Sequence, residues 1–306
     1  MVARQQDRRD GGRTERGRQR FGPAVMGAVE QTIDTEAVLL VRGLVAEHAG
    51  LQSGHRIEQG QRRQLATGQH EVAQAQLERH VAIEKALASD IRTPEERARD
   101  ATERKPIQTL GFFGLKPNMT VIELFPGAGW YTKILGQVLA DKGKLYITVG
   151  QTRTAAKLAE WKLDKVSAVD SKMTLAPSGQ PGIFQADVIE IPIRDADMVL
   201  TFRNYHNMTP ATRALLNKQI FMALKPGGVY GVVDHTKRHM EPYNPETWRR
   251  ADPVVVIKEA QAAGFVFEDF ATLHFRPDDT LQYDSQRESI KGYSDRFTLR
   301  FRKPLK

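Results

Sequence analysis

The sequence predicts an α/β fold, a doubly wound and mostly parallel seven-stranded sheet with an antiparallel closing strand pair. From residue 120 onward, short β-rich runs alternate with helical runs, which is typical of a parallel sheet with helices on both faces. The last two β-rich runs, FVFEDFATLHF and RFTLRFRK, have no helical pattern between them. This difference predicts an antiparallel pair at one edge of the sheet.

The first predicted element before the sheet is a helix that begins after Thr93. Thr93 suits an N-cap because Pro94 takes the first helical position and Glu96 stands three residues after the cap, the spacing of a capping box. The helix should end before Pro106. Its basic residues are expected to form a solvated, charged face: Arg97, Arg99, Arg104 and Lys105.

Five β-rich runs after the short helical piece PIQTLGFFG are predicted as the parallel strands. They are TVIEL, KLYITV, SKMTLA, DMVLTF and VYGVVDH, of which SKMTLA is the weakest. Helices are predicted at 130–139, 154–163 and 209–224 between the strands, and at 253–263 before the closing pair. The first of these should bury one face, formed by Trp130, Ile134, Leu135 and Val138.

Residues 1–80 differ in composition from the rest of the chain. They hold twelve arginines and eleven glutamines but no lysine, and a stretch of this kind buries little apolar surface. We therefore predict a disordered or weakly helical extension at 1–80 and one domain at 81–306. Two alternatives are a basic arm for nucleic acid, which a net charge of only +2 disfavours, and a natural translation start downstream of Met1.

Composition narrows the classes of function that the chain can have. The 306 residues carry a formal charge of +8 that is spread along the chain, which favours solubility over nucleic-acid binding. The sequence has no cysteine, so disulfides, thiolate metal sites and cysteine nucleophiles are excluded. No apolar run approaches the ~20 residues of a membrane span and no signal peptide is readable, which predicts a cytoplasmic protein without a span.

The stretch VIELFPGAGWYTKIL, at 121–135, has the pattern of a nucleotide-cofactor loop. Gly127 and Gly129 let the backbone turn sharply and approach a ligand closely, and Glu123 stands near the end of the preceding strand. A dinucleotide loop would have a third glycine where Thr132 stands, and bulky aromatic residues crowd the expected pyrophosphate position. A ligand with a ribose, an amino-acid group and a sulfonium fits better, because a sulfonium favours aromatic faces. Those are the parts of S-adenosylmethionine.

The chain resembles the class I S-adenosylmethionine-dependent methyltransferases through VIELFPGAGW and ALKPGGVYGVVDH. From about residue 88 to 304 it is similar to a bacterial methyltransferase-like family, in which RARDATERKP, FRNYHN and SDRFTLRFRKP recur together with these motifs. The resemblance implies a Rossmann-like methyltransferase fold. It also implies methyl transfer from S-adenosylmethionine to a small-molecule acceptor.

The resemblance also implies roles for individual residues. Asp187 matches the region that accepts from the adenine amino group, and Gln151 or a backbone group is expected to replace the acid that the second strand lacks at its end. The residues after the fourth strand, in FRNYHN, should face the transferred methyl: Asn204, Tyr205 and His206. The residues of the first motif should hold the methionine part and the ribose: Glu123, Phe125, Gly127, Gly129 and Trp130.

His206 has two readings, a general base for a hydroxyl or amine acceptor and a structural hydrogen-bonding residue. Asp234, at the end of the fifth strand, is expected to orient it, whereas a metal site formed with His235 matches no metal motif. Tyr243 and Trp248 are candidates for a lid over the pocket. The rival functions are a non-catalytic nucleoside-binding protein and a nicotinamide-dependent oxidoreductase.

Overall fold

The computed structural model describes residues 56–306, with side chains from residue 70, and residues 68–306 form one compact unit. Its main sheet has seven strands in the order β6-β7-β5-β4-β1-β2-β3. Strands β1 to β5 are parallel to one another, and β7 lies antiparallel between β5 and β6. The predicted fold class is confirmed. The strands are β1 Thr120–Leu124, β2 Lys144–Thr148, β3 Val166–Ala168, β4 Ala196–Phe202, β5 Leu224–His235, β6 Val266–Ala271 and β7 Arg296–Arg302.

The helices flank this sheet and agree in place with most of the predicted ones. The capping box is present, since the Glu96 backbone N–H donates to Thr93 Oγ1 and the Thr93 N–H donates to the Glu96 carboxylate. The helices are α1 Arg56–Leu87, α2 Pro94–Arg99, α3 Pro106–Phe112, α4 Trp130–Val138, α5 Thr152–Ala155, α6 Pro210–Ala223 and α7 Pro253–Ala262, with a π-helical turn at Asp100–Arg104.

Helix α1 crosses the boundary that we predicted between residues 80 and 81. Ile83 and Ala86, near its carboxyl end, are buried in the core on one face of the sheet. Residues 1–55 of the predicted extension lie outside the described residues, so the domain division stays a prediction. No helix in the described part of the chain combines the length and apolarity needed to cross a membrane.

The third strand and the helix before it differ from the predictions. Val166–Ala168 pairs in parallel with β2, whereas Lys172–Met173, inside the predicted strand SKMTLA, pairs antiparallel with Ile189–Glu190 outside the main sheet. Val166 is buried and Lys172 is exposed, so the more apolar segment joins the sheet. The predicted helix 154–163 is a single helical turn, α5, followed by turns.

The sheet separates two buried apolar clusters, and the carboxyl ends of its central strands are adjacent. Strand β1 pairs with β4, and β4 pairs with β5, all in parallel. Because parallel neighbours end at the same edge, the loops after these three strands meet there. This edge carries the glycine loop, FRNYHN and the end of VYGVVDH.

Candidate active site

A cavity of about 810 Å³ opens at the carboxyl ends of β1, β4 and β5. The loops after these strands form one part of its wall, and residues 96–104 and 285–296 form another. It is lined by four residues of the predicted cofactor motif, namely Glu123, Phe125, Gly127 and Trp130, and by two of the three residues predicted to face the methyl group, Asn204 and His206. Side chains from separate sequence motifs are therefore brought to one chamber.

Glu123 is the buried acid of the glycine loop. Its side chain is 2% exposed and accepts a hydrogen bond from Thr132 Oγ1 at 2.6 Å. Burial raises the pKa of Glu123 from 4.5 to about 7, and the Thr132 hydrogen bond and the nearby Arg104 only partly oppose this. The carboxyl group therefore changes charge near neutral pH, at the wall of the cavity.

The two positions of the loop need glycine for different reasons. Gly127 has a φ of +62° and lines the cavity with no side chain between its backbone and a ligand. Gly129 has a φ of +79°, and a Cβ there would lie 2.4 Å from the ring of Trp161. Gly129 is thus required by packing, while Gly127 leaves room for a ligand. Gly129 is not among the residues that line the cavity.

Trp130 begins α4 and is held from two sides. Its indole Nε1 donates to the carbonyl of Glu96 at 3.1 Å, and the guanidinium group of Arg104 lies 4.6 Å from its ring centroid. Tyr131 stands next to it and stacks on Phe202 at the end of β4. Aromatic faces and one cationic group therefore form a fixed wall.

His206 and Asp234 form a buried pair. His206 Nδ1 lies 2.6 Å from Asp234 Oδ1, and the backbone N–H of His206 donates to the other carboxylate oxygen at 3.1 Å. The backbone N–H of His235 donates to Asp234 Oδ1 as well, at 2.7 Å. Because Nδ1 is engaged by the carboxylate, Nε2 is the ring nitrogen left for a ligand.

Asn204 and Tyr205 are placed differently by the short 3₁₀ turn at Tyr205–Asn207. Asn204 Nδ2 donates to the carbonyl of Phe202 at 2.9 Å and reaches the carbonyl of Phe125 at 3.4 Å, so it joins the two loops. The Tyr205 hydroxyl donates to Glu259 at 2.6 Å and accepts from Asn217 at 2.8 Å. Contrary to the prediction, Tyr205 therefore points into the core and does not face the cavity.

Gln151 and Asp187 do not line the cavity either. Gln151 Nε2 donates to Asp170 at 2.6 Å, so its amide is already engaged beyond the end of β2. Asp187 is exposed on the surface segment before β4. Their roles toward ribose and adenine stay predictions.

The sequence reasoning missed the arginines that line the cavity, which are Arg99, Arg104, Arg203, Arg249 and Arg296. Arg104 was expected on a solvated face, yet it is 6% exposed, and Arg296 on β7 is 5% exposed. Arg203, within FRNYHN, is half-buried. Burial lowers the pKa of Arg296 to about 10 and that of Arg104 well below its ordinary value, and neighbouring arginines add to both shifts. The sequence offered a signal for Arg203 alone, because this charged residue stands between the β-rich run DMVLTF and the polar residues NYHN.

His235 is a neutral histidine beside this cluster. Burial and the neighbouring cations lower its pKa well below 6.5, and its Nδ1 lies 2.8 Å from Ser294 Oγ. Within the described residues, no group of three or more His, Asp or Glu side chains is placed to hold a metal ion.

No family model and no curated protein matches the chain. Among solved structures, it is similar to an S-adenosylmethionine-dependent methyltransferase from Aquifex aeolicus, with 18% identity over 67% of this chain and 92% of the other and a TM-score of 0.46. It is also similar to an S-adenosylmethionine-dependent methyltransferase from Mesorhizobium loti, with 14% identity over 71% of this chain and 100% of the other and a TM-score of 0.42. A third similar structure is that of the [4+2]-cyclase SpnF, with 16% identity over 72% of this chain and 86% of the other and a TM-score of 0.47. Similarity at this level carries no information about the reaction.

Proposed function

We propose that the protein transfers a methyl group from S-adenosylmethionine to a small molecule, and that His206 removes a proton from the acceptor. The observation that carries the proposal is the shared cavity. The glycine loop and His206 line one chamber of about 810 Å³, within the range of ~300 to 1,000 Å³ that is usual for ligand sites.

The residues of the glycine loop fit the cofactor. Glu123, when ionised, would accept from the α-ammonium group, and Gly127 would allow close approach of the ligand to the backbone. Phe125 offers an aromatic face toward a sulfonium, and Trp130 contributes its ring to the same wall. When bound, S-adenosylmethionine supplies a methyl group on a positively charged sulfur.

We assign the ribose contact to the segment after β2. Gln151 is the candidate that we retain, and its bond to Asp170 brings a carboxylate to the place where the end of the second strand lacks one. Ribose hydroxyls would form hydrogen bonds with the side chains of Gln151 and Asp170, either in addition to the bond between them or in its place. Asn204 contributes indirectly, because it ties the carbonyl of Phe125 to the loop after β4.

Proton removal follows from the geometry of the histidine pair. Asp234 accepts the Nδ1 proton of His206, which leaves Nε2 as the acceptor of a proton from a hydroxyl or amine. The carboxylate then stabilises the imidazolium that forms. Asp234 itself is fully buried, so it acts as a positioning residue through His206.

Calorimetric titration of S-adenosylhomocysteine into the full chain tests cofactor binding. We expect the wild type to bind and Gly127→Arg to lose binding, because the new side chain would occupy the ligand's place. Gly179→Arg is the matched control: Gly179 also has a positive φ, of +89°, but is exposed with nothing within 4 Å of a Cβ.

The control variant should bind like the wild type. Absence of binding by the folded wild type, or binding that Gly127→Arg leaves intact, would refute the proposed cofactor site. A parallel titration with NAD tests the nicotinamide alternative. Methyl transfer to any acceptor in a screen with labelled S-adenosylmethionine separates the enzyme from a binding protein.

A further inference from the structure

The charged residues that line the cavity are strongly unbalanced. Six lysine and arginine side chains line it against three glutamates. Glu96 is paired with Lys133 at 3.0 Å, and Glu103 with Arg99 at 3.0 Å. Glu123 is largely protonated below its raised pKa of about 7. The wall therefore carries a clear excess of positive charge.

The excess is concentrated on Arg104, Arg203 and Arg296. Within the described residues, no carboxylate lies within 4.0 Å of the side chain of Arg104 or Arg203, and Glu103 is 3.9 Å from Arg296. The Nε atoms of all three arginines are buried and have no hydrogen-bond partner among residues 56–306. Buried charges are ordinarily paired, so Arg104 and Arg203 lack a counter-ion.

The orientation of Arg104 suits a ligand. Its guanidinium group packs against the rings of Trp130 and Tyr131, with centroid distances of 4.6 and 5.5 Å. Stacking fixes the plane of the group and leaves its N–H edges for an acceptor. Guanidinium groups bind carboxylate and phosphate oxygens through two parallel hydrogen bonds.

We propose that the methyl acceptor carries an anionic oxygen group, a carboxylate or a phosphate, which Arg104, Arg203 and Arg296 bind while the attacking atom faces His206. This inference rests on the proposed function. S-adenosylmethionine carries a sulfonium, an ammonium and a carboxylate, so it brings one net positive charge into a cavity that is already cationic. Ionised Glu123 would offset that one charge, which leaves Arg104 and Arg203 without a counter-ion, and we assign this counter-ion to the acceptor.

The test measures anion binding to the full chain in the presence of saturating S-adenosylhomocysteine. The probes are inorganic phosphate and benzoate, each compared with sodium chloride at matched ionic strength, in calorimetry and thermal unfolding. We expect one of the two to bind and to raise the melting temperature of the wild type. The one that binds more tightly identifies the anionic group.

Two variants and a control assign the binding to the arginines. Arg104→Met keeps the packing on the aromatic rings and removes the charge, and Arg296→Gln removes a second guanidinium group. Each should weaken anion binding at least tenfold and change the dissociation constant of S-adenosylhomocysteine less than twofold. The control is Arg302→Gln, because Arg302 lies on β7 like Arg296 but pairs with Glu268 on the surface. This variant should leave the affinities for the anion and for S-adenosylhomocysteine unchanged.

Stability separates a binding role from a structural one. The guanidinium group of Arg104 donates no hydrogen bond to any described residue, so Arg104→Met should keep or raise the melting temperature of the ligand-free protein. A large fall, with unchanged anion affinity, would overturn the proposal.

Two further results would overturn the inference. If neither probe binds to the wild type, the arginines are not an anion site. If S-adenosylhomocysteine affinity falls in parallel with anion affinity, the arginines hold the cofactor's carboxylate and not the acceptor. If the wild type binds anions but no S-adenosylhomocysteine, the proposed function fails while the anion site stands.

Discussion

Replacing Glu123 by glutamine should make the protein more stable at alkaline pH. The pKa of Glu123 rises from 4.5 to about 7 on folding, because its carboxyl group is buried in the wall of the cavity. An acid with a raised folded-state pKa binds its proton more tightly in the folded protein. The free energy of unfolding therefore falls as pH rises from about 4.5 to about 7 and stays low above that.

The size of this loss follows from the shift in pKa. A shift from 4.5 to about 7, at about 1.4 kcal/mol per pH unit, corresponds to about 3 kcal/mol at pH 9. Glutamine is isosteric, carries no charge and still accepts from Thr132 Oγ1 through its amide oxygen. The free energy of unfolding of Glu123→Gln, relative to that of the wild type, should therefore rise by about 2–3 kcal/mol between pH 5 and pH 9.

Urea unfolding at pH 5, 7 and 9 measures this difference directly. The exposed Glu288→Gln serves as the control and should track the wild type at every pH. Equal m-values are needed for the comparison. If the difference in free energy of unfolding between Glu123→Gln and the wild type stays constant from pH 5 to pH 9, the raised pKa of Glu123 is refuted.

The same group links stability to ligand binding. An α-ammonium group beside Glu123 favours the ionised carboxylate, so S-adenosylhomocysteine should bind more weakly as pH falls below about 7. Calorimetry over that range should show the dependence in the wild type and its loss in Glu123→Gln. A wild-type affinity that does not change with pH would place the ammonium group elsewhere.

Three further predictions concern the base, the loop and the lid. His206→Gln should lower kcat by roughly 10²- to 10⁴-fold, the usual contribution of a general base, with S-adenosylhomocysteine affinity unchanged in calorimetry; a loss below threefold would exclude that role. Gly129→Ala should cost about 2–3 kcal/mol in urea unfolding, because its Cβ meets Trp161. Gly114→Ala, with a φ of +77° and open space, should cost only about 1–2 kcal/mol, and equal costs would contradict the packing argument. Trp248→Ala, beside His206 in the cavity wall, should raise the acceptor's KM, and unchanged kinetics would count against a lid.

Features that depend on local spacing were predictable from the sequence. The capping box at Thr93 and the left-handed glycines of the cofactor loop follow from residues that are close in the chain. The contact between His206 and Asp234 followed from topology, because both residues come just after strand ends at one edge of a parallel sheet.

Features that depend on side-chain direction or on distant segments were not predictable. Tyr205 and His206 are adjacent in sequence, but the 3₁₀ turn sends the tyrosine into the core, where its hydroxyl donates to Glu259 and accepts from Asn217. Arg104 lies in a segment whose composition is typical of an exposed helix. Its burial arises from packing on Trp130 and Tyr131 of α4, which no local pattern encodes.

The charged groups of the cavity are better explained by ligands than by the fold itself. A structural ion pair would have joined Glu123 to Arg104, since each lowers the cost of burying the other. Instead the carboxyl group bonds to Thr132, and the guanidinium group stacks on Trp130. Burial disfavours both charged forms, so the ligand-free protein bears an electrostatic cost that oppositely charged ligand groups would relieve. An ammonium group at Glu123 and an anionic group at the arginines would remove both costs without bringing the two residues together.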